Sequence, residues 1–292
     1  MSKKKVPGRV FRPAEKDAAS AAQTAPLPQT THPAYRLAFQ DPDFLLREDL
    51  RPVRFQLELL KAQTVLDEAR VHSTFVFYGS ARIPAPEDAD RIVEAAKTET
   101  QRDIAERLRA KSKYYDEARR LAALASGEPV NSDGTRDFVV CSGGGPSIME
   151  AANRGAAEAG AESVGLNIVL EHEPLPNAYV TPRLSLNFHY FALRKMHFLI
   201  RARAVAVFPG GFGTFDELFE LLTLIQTGKM APLPIVLFGR DFWERVVDFP
   251  ALAEEGVISP NDLNLFHFVE TAEEAWTIVQ DFYRPAALKA AE

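Results

Sequence analysis

The sequence has one cysteine, Cys141, among 292 residues. No intrachain disulfide can form, which fits a chain kept in a reducing compartment. No apolar run approaches the roughly 18–20 residues that a membrane-crossing helix needs. The six histidines are scattered, and none stands at metal-ligand spacing from another or from Cys141. No resident metal and no cofactor are therefore expected. Positive charge is also short: 34 Lys and Arg stand against 40 Asp and Glu, a net charge of −6 with a pI near 5.6. That balance excludes a nucleic-acid coat or a binder of anionic membranes, but not a local basic pocket. The basic start "MSKKK" has no apolar stretch behind it, so no secretory signal is expected. These absences predict a cytoplasmic protein.

Hydrophobic residues make up 46% of the chain, enough for one large α/β domain. Residues 1–35 are rich in Ala, Pro, Gln, Thr and Lys and poor in large apolar side chains. Such a segment cannot bury enough surface to offset its ordering entropy and reads as a disordered tail. Residues 36–71 read as a helical extension, with apolar residues at helical spacing over 42–70, a candidate oligomer contact. From there to residue 285 the pattern alternates. "TFVFYGS" (74–80), "DFVVCS" (137–142), "SVGLNIVL" (163–170), "AVAVF" (204–208) and "LPIVLFG" (233–239) read as buried strands. Between and after them, 114–126, the stretch from 148, 187–203, 212–226, 241–249 and 270–283 read as helices. Continuous Val/Ile/Leu/Phe strands alternating with helices predict a Rossmann-like, doubly wound parallel sheet covered on both faces. Residues 286–292 read as a tail.

In such a sheet, ligands bind outside the carboxyl ends of the strands. Three strands finish in small residues: Gly79-Ser80, Ser142 to Gly145, and Gly210 to Thr214. Two of these turns open directly into helices, whose N-termini carry about half a positive charge and unpaired N–H groups. Three such turns on one edge point to a phosphate-bearing ligand. "GGGPSIME" has Ile148 where a dinucleotide fingerprint needs its third glycine, and it follows the second strand rather than the first. "TGKM" (227–230) lacks the upstream glycine and the hydroxyl of a P-loop. Dinucleotide redox chemistry and ATP- or GTP-driven chemistry are thus disfavoured.

Glu217 lies one turn inside the helix that follows the last glycine cluster, with Asp216 and Glu220 beside it. Arg194-Lys195 sit in the apolar context "YFALRKMHFLI", where a charged pair is costly unless used or paired. The bland alternatives are acids that complement the helix dipole, and a structural ion pair to Glu217 or Glu150. A carboxylate, an arginine and a phosphate pocket also suit hydrolysis of the N-glycosidic bond of a nucleoside monophosphate. There a carboxylate beside C1′ stabilises an oxocarbenium-like transition state. A nucleotide sensor or cofactor carrier without catalysis is the alternative, although a carrier has no use for a carboxylate beside an anion pocket.

"PGGFGTFDE" (209–217) fits the P-G-G-x-G-T-x-x-E signature of the LONELY GUY (LOG) family, with "RK" (194–195) at that family's spacing before it. "FYGSAR" (77–82), "SGGGPSIMEAANRGA" (142–156), "SVGLNI" (163–168) and "LLTLIQTGK" (221–229) resemble the longer bacterial members, so the likeness covers about residues 72–283. It implies a phosphoribohydrolase that releases adenine-type bases and ribose 5-phosphate from AMP or from cytokinin riboside monophosphates. It implies Arg194 and Glu217 as the catalytic pair. Gly211, Gly213 and Thr214, with Ser80, would surround the phosphate, and Met149-Glu150 would stand near base and ribose. Gly79, Gly144, Gly145, Lys195 and Gly210 complete the candidate substrate-binding set. Relatives were long labelled lysine decarboxylases, but no pyridoxal-phosphate framework surrounds Lys195. Ser147 stands where close relatives tend to have glycine. Phe188, Tyr190 and Phe191 are candidates for the wall of the base pocket. Members of this kind assemble as homo-oligomers, so a dimer or larger is expected, with a small nucleotide as the only other partner.

Overall fold

The computed structural model describes residues 11–171 and 175–284. The described chain divides into two compact units, one up to Glu58 and one from Leu59 onward. Within the stretch expected to be a disordered tail, Ala14–Ala22 is helical, although none of its residues is buried. Its alanines carry the highest helix propensity, so little else is needed for the local conformation. The helix Arg51–Glu68 runs across the division between the units. In the second unit its end is fixed by burial of Ala62 and Leu66 and by an Arg201–Asp67 ion pair of 2.6 Å.

The second unit carries a parallel sheet of seven strands: β1 Thr74–Tyr78, β2 Val139–Ser142, β3 Val164–Ile168, β4 Ser185–Phe188, β5 Ala202–Val207, β6 Ile235–Phe238 and β7 His267–Val269. Their order is β4-β3-β2-β1-β5-β6-β7, so the doubly wound expectation holds. The chain winds outward from β1 to β4, then returns to the other side of β1. The reversal falls between β1 and β5, whose neighbours run from Phe75 against Ala204 to Tyr78 against Val207. A topological switch point opens a crevice above those two strands, because the connections leave them in opposite directions.

Five strands were legible as apolar runs; the two edge strands were not. β4 lies at the front of what reads as one long helix over 187–203. The helix itself is Phe191–Ile200, preceded by the strand and followed at Ala202 by β5. Leu184, Leu186 and Phe188 are buried in alternation, a period-two signal that the apolar run behind it masks. β7 is only three residues long. The helices Ala89–Glu94 and Glu99–Arg109 were also not anticipated; the second starts at a Thr98/Gln101 capping box.

Strand alternation sorts the core. Phe75 and Phe77 join Val140, Ala204, Ala206, Val236 and Phe238 on one face, under the helices Lys113–Ala125, Ile148–Glu158 and Ala272–Tyr283. Tyr78 points to the opposite face, where its ring meets Phe198 of the Phe191–Ile200 helix edge-on at 5.1 Å. On the first face, two helices approach so closely at Gly155 that a methyl there would collide with the Arg119 carbonyl. Gly155→Ala is therefore expected to destabilise the fold by about 1–3 kcal/mol despite alanine's better helix propensity. Its Tm should fall by roughly 3–10 °C. A thermal melt with no fall would mean that these helices can part without cost.

Candidate active site

A cavity of about 1190 Å³ opens at the carboxyl ends of β1, β2, β3 and β5. Small-ligand clefts usually measure roughly 300–1,000 Å³, so this one is large for its class. Three glycine turns form its floor, and backbone hydrogen bonds join them. Ser80 N–H donates to the Pro209 carbonyl at 3.1 Å, and Ile148 N–H donates to the Ser80 carbonyl at 3.4 Å. Ser80 Oγ accepts from Arg82 N–H at 3.0 Å. The loop after β1 is thus stitched to the loops after β5 and β2.

The helix Phe212–Gln226 begins at the cavity, with Gly211 as its N-cap. Its first internal bond is Phe215 N–H to the Gly211 carbonyl, 3.1 Å. The amides before Phe215 have no partner inside the helix and carry the positive end of its dipole. Thr214 is buried and lines the cavity beside them. Free amides at the positive end of a helix are the kind of group that favours an anion.

One turn further along this helix stands Glu217. Its carboxylate lies 4.0 Å from Arg194 Nη1, with 12% of the arginine side chain and 16% of the glutamate side chain exposed. Arg194 Nε donates to the Leu166 carbonyl in the middle of β3, 2.7 Å away, which holds one edge of the guanidinium against the sheet. Burial pushes the Glu217 carboxyl up to about 7, against the pull of Arg194 in the other direction. An acid that titrates near neutrality in a cleft has the character of a functional group. Cys141 is buried beneath, and burial pushes its thiol well up, so it has little nucleophilic character.

Of the residues singled out from sequence, Gly79, Ser80, Gly145, Met149, Arg194, Gly211, Gly213, Thr214 and Glu217 line this cavity together. Four others are placed elsewhere. Gly144 sits behind the wall in the left-handed region, φ +73°, where a Cβ would overlap Asn167 Oδ1. Gly210 packs on the Thr214 side chain. Glu150 accepts a 2.9 Å bond from the Tyr115 hydroxyl. Lys195 pairs with Asp216 at 2.8 Å and Glu220 at 3.1 Å. Burial alone would lower the lysine's pKa, but these two carboxylates outweigh it and leave it raised. Of the three aromatic candidates, Phe191 lines the cavity, whereas Phe188 is buried against His197; Tyr190 is not among the lining residues.

Sequence reasoning missed Arg82, Asn167, Ser185 and Asn187, which add polar groups to the wall, and the apolar rim of Val169, Leu170, Phe212 and Val246. Asn167 sits in a strand that reads as apolar and Asn187 at the start of what reads as a helix, and only the paired ends of β3 and β4 bring them together. Ser147 has φ +65°, which glycine adopts without strain. Its Oγ donates to the Ile83 carbonyl, which offsets part of that strain.

A family model described as "Possible lysine decarboxylase" matches residues 149–279. A pyrimidine/purine nucleotide 5'-monophosphate nucleosidase of Escherichia coli (strain K12) is 32% identical over 120 residues. That match covers 37% of this chain and 26% of the relative, so it spans about a quarter of the curated protein's length. The nucleosidase of the same description from Escherichia coli O157:H7 matches identically. Among solved structures, the X-ray structure of TM1055, a structural genomics target, aligns with a TM-score of 0.42 and 19% identity. That alignment covers 72% of this chain and 99% of that one.

Proposed function

From the premise that this chain belongs to a LOG-like family, we propose that it hydrolyses the N-glycosidic bond of adenine-type nucleoside 5′-monophosphates, AMP and N6-prenylated AMP among them. The observation that carries this proposal is Glu217, a buried carboxyl one helical turn beyond the free amides of a helix start and facing a fixed arginine. The 5′-phosphate binds the free amides before Phe215 and the Thr214 hydroxyl. That anchors the ribose with C1′ toward Glu217. As the C1′–N9 bond breaks, positive charge grows on the sugar, and the ionised Glu217 carboxylate stabilises it. A water oxygen bonds to C1′ as the C1′–N9 bond breaks. The water's proton passes to Glu217 and from it to the leaving purine nitrogen, so the neutral free base departs and Glu217 ends ionised again. Ribose 5-phosphate is the other product, so atoms and charge balance. Arg194, pinned by the Leu166 carbonyl, keeps the carboxylate oriented and favours its ionised form.

The family model's decarboxylase description does not fit this cavity. A Schiff-base lysine needs a depressed pKa and an open amine. Lys195 is raised and doubly paired, and no lysine among the described residues lines the cavity. The apolar rim of Val169, Leu170 and Val246 gives an N6-prenyl group a place to pack, beyond the volume that AMP needs.

Chromatography of the purified protein incubated separately with AMP, isopentenyladenosine monophosphate and adenosine tests this assignment. Free base and ribose 5-phosphate are expected from the monophosphates, with adenosine poorer in kcat/KM by about 100-fold or more, since a charged anchor is lost. Equal rates with adenosine would remove the phosphate from the site. Tight nucleotide binding with no base released would make the protein a nucleotide sensor or carrier.

A further inference from the structure

At the end of β3, Asn167 lines the cavity, and the reaction as described gives it no part. Its Nδ2 group lies 3.3 Å from the Gly165 carbonyl, 3.1 Å from the Leu186 carbonyl and 3.1 Å from Ser185 Oγ. Two of these three groups can only accept. A flipped amide would set oxygen against oxygen, so the side chain has one permitted orientation. That orientation sends Oδ1 over Gly144, into space that exists only because Gly144 has no Cβ. Among the described residues nothing donates to Oδ1. The residue before Asn167 supplies the carbonyl that holds Arg194, so the free acceptor and the arginine are fixed by adjacent peptides of one strand.

We propose that Asn167 is a specificity-determining residue of this cavity, whose Oδ1 accepts a hydrogen bond from an N–H or O–H donor of the bound nucleotide. The inference rests on the nucleotide assignment above. A ligand donor that reaches this acceptor takes the place of solvent without loss. A ligand with no donor at that point leaves a fixed, half-buried carbonyl oxygen unpaired, and sites built to hydrogen-bond a substrate group discriminate strongly against analogues that lack it. Two parts of an adenine nucleotide offer such a donor: the ribose hydroxyls and the exocyclic amine of the base. Ser185 acts as a positioning residue, because its hydroxyl accepts one of the bonds that aim the amide.

The test is kcat/KM for AMP, 2′-deoxy-AMP, 3′-deoxy-AMP and IMP, measured on wild type, Asn167→Leu and Ser185→Ala. Wild type should prefer AMP over at least one analogue by about tenfold or more. Asn167→Leu should collapse that preference to within about threefold, and Ser185→Ala should weaken it by a smaller factor. Collapse against a deoxy analogue assigns the donor to that hydroxyl; collapse against IMP assigns it to the amine. A merely structural role would scale all four substrates together and leave the ratios intact. Should Asn167→Leu fail to fold, Ser185→Ala carries the test alone, and unchanged ratios there overturn the proposal. Wild type without preference against any analogue, or unchanged ratios in Asn167→Leu, also overturns it. A wild type that releases no base from AMP fails the nucleotide assignment itself, and this proposal with it.

Discussion

Glu217→Gln is expected to lower the turnover of a nucleoside monophosphate by about 10³-fold or more, roughly 4 kcal/mol of transition-state stabilisation. Nucleotide affinity should change only a few-fold. The amide keeps the size of the side chain and leaves the amides at the start of the Phe212–Gln226 helix untouched, but carries no charge to meet the developing cation. Turnover near the wild-type rate would take Glu217 out of the chemistry. The pH dependence follows from the raised carboxyl. With a pKa of about 7 and the ionised form required, wild-type kcat/KM should fall about tenfold per pH unit below that point. A flat profile from pH 5 to 8 would contradict the assigned role. Stability should move in the opposite sense. The folded carboxyl holds its proton more tightly than the unfolded one, whose pKa is near 4.5. Its stabilising contribution is therefore complete below about pH 4.5 and lost as pH rises through 7. Against wild type, Glu217→Gln should gain about 2–3 kcal/mol between those limits. Melts at pH 5 and pH 8 check that sign, and equal differences at both would refute the burial of this group.

The second large effect is expected at Arg194. Arg194→Met should cut kcat/KM at pH 7 by about 10²–10³-fold. It should also move the acid limb of the profile upward, because the guanidinium is the stronger of the two cations, with Lys195, that hold the Glu217 pKa down against burial. Arg194→Lys should rescue only part of this loss. An ammonium can supply the charge, but it cannot donate to the Leu166 carbonyl through one edge while facing Glu217 with the other. Full rescue by lysine would reduce the arginine to a point charge. An unmoved acid limb in Arg194→Met would mean that the 4.0 Å pair does not couple.

The parallel sheet was legible because β1, β2, β3, β5 and β6 are continuous apolar runs, and nothing but burial on both faces explains such runs in a chain of this charge. β4 and β7 escaped notice for a local reason: an edge strand of three or four residues has too few alternations to stand out beside a helix. Glu217, Arg194 and the glycine turns were likewise legible, since each is an expensive residue in its context. Lys195 and Glu150 are expensive too, yet the structure assigns them to partners: Asp216 and Glu220 for the one, the Tyr115 hydroxyl for the other. Sequence spacing puts Arg194 and Lys195 side by side, but adjacent helical positions point about 100° apart. Only packing decides which of them faces the cavity.

By itself the sequence determined a doubly wound sheet, glycine turns at the ends of three strands, and an acid and an arginine within reach of them. Those are local properties: hydrophobic periodicity, backbone permissiveness and the cost of charge in apolar surroundings. Tertiary structure decided that Glu217 is buried enough to hold its proton near neutrality, that the Leu166 carbonyl fixes Arg194, and that Asn167 presents an acceptor and not a donor. Each of these depends on atoms brought together across strands distant in the chain. Burial and hydrogen-bond partners are properties of the folded neighbourhood, and no single segment of sequence carries them.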